Sequence, residues 1–240
     1  MDNSLFKSFG ASVAGPRHIS KGLRNEDAWL RVNGKFGSLI VVCDGLGSRS
    51  HARLGARTAC VAVQDAVKEW SKSKDAPISY LTHLIEVLWR IKLHPCKASD
   101  GATTCLLAWV RPNGEWIIGG IGDGLIVVKT GTEPPVSYLG MEDRGEGFAN
   151  ETQALGISKK AWDLKILKPT KKERYAILAT DGVSDDLDPK KIHQFCAWLS
   201  NLSKLPPLPR WRELVASLKN WPTPKHQDDK TVALLKVLAQ

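Results

Sequence analysis

Apolar residues in this chain follow two spacings. Short, nearly continuous apolar runs occupy residues 27–32, 38–43, 103–111, 115–122, 124–129, 162–168, 175–180 and 230–238. Runs of this length, bounded by Gly, Pro, Asn or Asp, predict strands, several of them buried on both faces. The runs TTCLLAWV and EWIIGGI are joined by Arg111-Pro112-Asn113-Gly114. Asn-Gly between two apolar runs predicts a hairpin, so part of the sheet is antiparallel. Helical spacing appears in four places: Ala56, Ala59, Cys60, Val63, Val67 and Trp70; Leu81, Leu84, Ile85 and Leu88; Ile192, Phe195, Cys196 and Leu199; Trp211, Leu214, Val215 and Leu218. Each set recurs at i, i+3, i+4 and i+7. Two helices, then hairpins, then two helices and a last strand do not alternate as βαβ units. The order predicts an α+β fold of antiparallel sheets with helices outside, not a doubly wound sheet.

Two segments break these patterns. Residues 140–160 are polar and Gly-rich, and the expectation is a mobile flap. Residues 203–210 (SKLPPLPR) predict a Pro-rich connector between the last two helices, which outweighs a polyproline ligand. Neither predicts a domain boundary, because acidic motifs lie on both sides. The expectation is a single domain over residues 1–240.

The totals narrow the class. Of 240 residues, 42% are apolar and 25% charged, which suits a globular chain with a sizeable core. No apolar stretch nears the ~20 residues that span a membrane. The start MDNSLFKSFG lacks the apolar region of a secretory signal. Five cysteines, odd in number and without C-x-x-C spacing, predict reduced, mostly buried thiols and a cytoplasmic protein. Net charge is +9, but the basic residues form only short clusters such as Lys159-Lys160 and Lys171-Lys172. That pattern favours a solvated basic surface over nucleic-acid binding, and suits an acidic or phosphorylated protein partner.

The chemistry sits where the strands end. Three apolar runs stop at Asp-Gly: Asp44-Gly45, Asp123-Gly124 and Asp181-Gly182. Asp228-Asp229 stands just before the last apolar run, and Glu26-Asp27 before the first. Asp185, four residues after Asp181, can fold back beside it across one turn, whereas Asp186 reads as the start of a loop. A strand that stops at Asp delivers a carboxylate to the rim of a sheet. Several such carboxylates, if they converge, repel one another unless a cation joins them. Hard oxygen ligands suit Mg²⁺ or Mn²⁺. Nothing in the sequence requires a Cys nucleophile.

The motifs, taken in order, resemble the metal-dependent protein serine/threonine phosphatases of the protein phosphatase 2C (PP2C, PPM) family. They are N-E-D-A at 25–28, V-V-C-D-G-L-G at 41–47, G-A-T-T at 101–104, I-G-D-G at 121–124, L-A-T-D-G-V-S-D-D at 178–186 and D-D-K-T-V at 228–232. The resemblance runs from about residue 10 to 238, and a His in the segment G-P-R-H-I-S-K-G-L-R-N-E-D-A looks like an atypical bacterial-type subgroup. It implies an αββα sandwich, two antiparallel sheets flanked by helix pairs. It also implies two Mn²⁺ or Mg²⁺ ions bridged by Asp44, with the Gly45 carbonyl on one ion and Asp181 and Asp228 on the other. Asp27, with Glu26, would hold metal-bound waters. Asp123, Asp181 and Asp185 match ligands of a third ion, and Asp229, where many members have Asn, ranks below Asp228. The implied reaction is hydrolysis of phosphoserine or phosphothreonine by a metal-bridging hydroxide, without a phospho-enzyme. The implied partner is a phosphorylated protein, a serine/threonine kinase or its target.

Two departures matter. Many members carry a phosphate-binding Arg four residues before the Glu, and here that position is Gly22. Arg24, His18 and Arg17, in that order, are the candidates to replace it. The usual G-D-S-R is G-D-G-L, which weakens the third-ion site at Asp123. His226 stands two residues before Asp228 without a firm role. The alternative to an enzyme is a non-catalytic regulator with the same fold that binds phosphoproteins.

Overall fold

The computed structural model describes residues 6–73, 76–140, 153–157, 162–222 and 227–238. Among the described residues, ten strands form two five-stranded sheets, antiparallel in every pairing. The first sheet holds β1 (Phe6–Val13), β10 (Lys230–Val237), β9 (Arg174–Ala179), β6 (Leu125–Thr130) and β7 (Val136–Leu139), in that order. The second holds β2 (Ala28–Gly34), β3 (Gly37–Cys43), β4 (Cys105–Val110), β5 (Trp116–Ile121) and β8 (Asp163–Leu167). The longer helices are α2 (Ala52–Trp70), α3 (Ile78–Leu93), α5 (Ile192–Leu202) and α6 (Pro207–Lys219), with short α1 (Pro16–Ser20) and α4 (Asp181–Ser184).

The continuous apolar runs are explained by strand alternation. In β3, Leu39, Val41 and Cys43 face a core shared with α2 and α3, while Ile40 and Val42 face the other sheet. In β9, Tyr175, Ile177 and Ala179 face α5 and α6, while Ala176 and Leu178 face the second sheet. Each central strand is apolar on both faces because it serves two cores. The result is four layers, helix–sheet–sheet–helix, and the α+β expectation holds.

The predicted strands fall within a residue or two of the observed ones over 27–43 and 115–130 and at 174–179 and 230–237; at 103–111 the ladder proper is Cys105–Val110. The 111–114 turn closes as predicted: Arg111 N donates to Glu115 O at 2.8 Å, and Gly114 takes φ 83°. Strands β1 and β7 carry no continuous apolar run and were not predicted. The Pro-rich stretch differs from expectation. Its second half is the first turn of α6, with Pro206 at the N-cap and Pro207 following. A proline there forfeits only an N–H that has no helical partner. Of the expected 140–160 flap, only residues 140 and 153–157 are described; the rest, like His226, lies outside the described residues.

Four of the five thiols are buried, and all five are free. Among the described residues, no helix is long and apolar enough to cross a membrane.

Candidate functional site

The acidic strand ends gather at one rim of the sandwich. Asp44 follows β3 directly, Asp123 lies between β5 and β6, Asp181 opens α4 after β9, and Asp228 stands two residues before β10. All four line one cleft of about 480 Å³. A larger groove of about 580 Å³ beside β1 and α6 is lined by Trp29, Trp211 and Trp221 and has no carboxylate, so it is not where this chemistry resides.

Backbone packing fixes each carboxylate. The G-A-T-T motif grips Asp44: its carbonyl accepts from Thr104 N and Thr103 Oγ1, both at 2.8 Å, and its N–H donates to Thr104 Oγ1 at 2.9 Å. Gly45 is required by close approach, since a Cβ there would stand 2.5 Å from the Ala52 carbonyl. Gly182 is held as tightly, with a built Cβ 1.9 Å from the Asp229 carbonyl. The turn of α4 brings Asp185 N to the Asp181 carbonyl at 2.9 Å, as the spacing predicted. Asp185 is not on the cleft wall.

Asp27 lies behind Asp44 and is 7% exposed. Its Oδ2 accepts from Thr180 Oγ1 at 2.9 Å and Thr231 Oγ1 at 2.7 Å, while Oδ1 is buried without a donor. Desolvation, opposed by the threonine hydroxyls, pushes the Asp27 carboxyl up to about 7. Desolvation first, then the charges of Asp27, Asp181 and Asp228, hold the Asp44 carboxyl well above the usual range. Burial likewise raises Glu26, whose Oε2 is buried without a hydrogen-bond partner. Ionised together, these groups need positive charge. Clustered hard oxygens with orphaned acceptors fit divalent cations of the Mg²⁺ or Mn²⁺ kind.

Asp229 does something different. It is 2% exposed, and Oδ1 accepts from Gly15 N at 2.8 Å. Oδ2 meets Glu26 N at 2.6 Å and His18 Nδ1 at 2.8 Å. One donor atom each from His18, Asp228 and Asp229 lies within 4.8 Å of the others. Both Asp229 oxygens are already committed to protein groups, so this residue ties the 15–26 segment to the turn before β10. His18 is thereby buried, with Nε2 left 3.7 Å from Glu26 Oε2. Arg24 is exposed and off the cleft wall, as is Arg17.

Sequence reasoning passed over four participants. Thr180 and Thr231 set the environment of Asp27, and their signal was their place beside the Asp181 and Asp228 motifs. Asp186, read as a loop residue, has both carboxylate oxygens buried without partners, and its charge acts on Lys230, itself 2% exposed. Arg49 lines the cleft five residues after Asp44.

The fold is thus a two-sheet sandwich with an acidic cleft at its rim. The family model described as protein phosphatase 2C matches residues 14–221, and the chain belongs to that family. Among curated protein sequences none matches. Several solved structures share the fold. RsbX in complex with magnesium has 15% identity and TM-score 0.61, over 99% of this chain and 98% of that one. The catalytic domain of the serine/threonine phosphatase PstP, in complex with two manganese ions, has 16% identity and TM-score 0.63, over 97% and 98%. The phosphatase MsPP from Mycobacterium smegmatis, in complex with cacodylate, has 18% identity and TM-score 0.64, over 97% and 98%.

Proposed function

We propose that this chain is a metal-dependent protein phosphatase that hydrolyses phosphoserine and phosphothreonine. The observation that carries the reading is the convergence of Asp44, Asp123, Asp181 and Asp228 on one cleft, with Asp27 buried behind them. Asp44, the Gly45 carbonyl, Asp181 and Asp228 would hold two Mn²⁺ or Mg²⁺ ions, with Asp27 oriented by Thr180 and Thr231 to position water. Asp123 and Asp185 are the candidates for a third. Bound there, such ions supply a water acidic enough to act as nucleophile near neutral pH, and charge for the phosphoryl oxygens. The neighbours that bind magnesium, manganese or cacodylate, a tetrahedral oxyanion, support this choice of ligands.

The chain acts as one domain, residues 1–240, on a phosphorylated protein, a serine/threonine kinase or its target. Its +9 charge suits an acidic phosphoprotein. Five free thiols suit a reducing, cytoplasmic setting. Hydrolysis of p-nitrophenyl phosphate should require Mn²⁺ and vanish in Asp44→Ala, together with calorimetric Mn²⁺ binding. Tight Mn²⁺ binding by the wild type without turnover of any phosphomonoester would replace this reading with that of a phosphoprotein-binding regulator.

A further inference from the structure

Arg49 stands on the wall of the carboxylate cleft, yet its Nε is buried and has no hydrogen-bond partner among the described residues. A guanidinium keeps its charge at any physiological pH, and a buried donor without an acceptor is a cost that folded proteins rarely leave standing. Here it is left standing beside four aspartates. The backbone that carries it is fixed. Leu46 N donates to the Ala102 carbonyl at 3.0 Å, Arg49 N to the Leu46 carbonyl at 2.8 Å, and His51 N to the Asp100 carbonyl at 2.9 Å. Beyond it, α2 packs on Gly101 so closely that a Cβ at Gly55 would lie 1.8 Å from the Gly101 carbonyl. The arginine is therefore presented from a rigid turn, anchored to the same G-A-T-T segment that grips Asp44.

Charge bookkeeping points the same way. Two divalent cations would balance the four aspartates of the wall, and Arg49 adds a fixed positive charge to the same wall. A dianion with several oxygens is drawn to that charge, and a guanidinium fork matches its geometry. The other cationic candidates are placed less well: Arg24 is exposed and off the wall, and His18 has Nδ1 committed to Asp229.

We infer that Arg49 is the phosphate-binding cation of this site, and that its Nε and terminal N–H groups take the phosphoryl oxygens of a phosphate monoester. The inference rests on the phosphatase reading but fails separately from it. The probe is inorganic phosphate, titrated calorimetrically into Mn²⁺-loaded wild type and into Arg49→Ala, Arg49→Lys, Arg24→Ala and Arg57→Ala. Arg57 is an exposed arginine on α2 and controls for net charge. Arg49→Ala should weaken phosphate binding roughly ten- to hundredfold, the worth of a charged hydrogen bond. Arg49→Lys should fall between, because it keeps charge but loses the fork. Mn²⁺ affinity and melting temperature should not change, which separates lost contact from lost fold. If the wild type binds phosphate through Arg49 but hydrolyses no phosphopeptide, the inference stands and the hydrolase reading falls. If the wild type turns over substrate while Arg49→Ala binds phosphate unchanged, or if Arg24→Ala alone loses it, the inference is overturned.

Discussion

Metal-free protein should lose stability as pH rises from about 4 to 7, and the loss should disappear when Mn²⁺ is present. Asp27 is the source whose titration falls inside the assay range. Its carboxyl moves from 3.8 to about 7 in the folded chain, because burial disfavours the charged form. A raised acid pKa means that the folded state binds more protons than the unfolded state between these values. The contribution is therefore complete below 3.8 and is lost as pH climbs through about 7. At about 1.36 kcal/mol per pH unit, and with the folded-state group half titrated at pH 7, the interval from pH 5 to 7 costs about 2 kcal/mol. For a chain of this size that is about 6 °C in melting temperature. Asp44 and Glu26 shift in the same direction, so neither cancels the slope. A divalent cation competes with the protons and should flatten the curve while raising it. The assay is a melting series from pH 5 to 8 in chelator and again in Mn²⁺. Asp27→Asn is the diagnostic variant. Its amide oxygen can still accept from Thr180 and Thr231, and its N–H₂ can donate to the Asp44 carboxylate. The variant should be flatter with pH in chelator and gain less from Mn²⁺. A metal-free melting temperature that is level from pH 5 to 8 would refute the argument, as would an unchanged slope in Asp27→Asn.

Three further outcomes follow from packing and hydrogen bonding. Gly182→Ala places a Cβ 1.9 Å from the Asp229 carbonyl and should cost about 1–3 kcal/mol in urea unfolding, with Mn²⁺ binding weakened as Asp181 moves. Asp229→Asn turns a donor toward one of the three groups that now meet the carboxylate. It should cost about 2 kcal/mol and make the 15–26 segment more sensitive to limited proteolysis. Trp109→Ala removes a fully buried ring, its edge contact with Trp70 and its 2.8 Å bond to the Phe36 carbonyl, and should cost about 3–5 kcal/mol by thermal or urea unfolding.

The layered fold was legible because the central strands are apolar on both faces and the helices have one apolar stripe each. β1 was not legible for the opposite reason. Its Ser8 and Gly10 are buried against neighbouring strands, with a Cβ at Gly10 only 2.7 Å from the Val232 carbonyl, so close backbone packing does what apolar side chains do elsewhere. β7 is a short edge strand with a half-exposed surface, which leaves little pattern to detect. The acidic cleft was legible because each carboxylate is attached to a strand end. The roles of Asp229 and His18 were not, since Asp229 meets Gly15 across 214 positions and His18 across 211. Arg49 had no pattern to announce it: it sits in the polar run S-R-S-H, and only the fold turns that run into the cleft wall.

The acidic cleft is proposed to hold divalent cations and to use them to hydrolyse phosphoprotein esters. Release of inorganic phosphate from a phosphothreonine peptide, with Mn²⁺ or chelator, by wild type and Asp181→Asn side by side, tests it most directly. Turnover is expected only for wild type in Mn²⁺, with Asp181→Asn folded but slower by on the order of 1,000-fold. Equal phosphate release in chelator, or by Asp181→Asn in Mn²⁺, would contradict it.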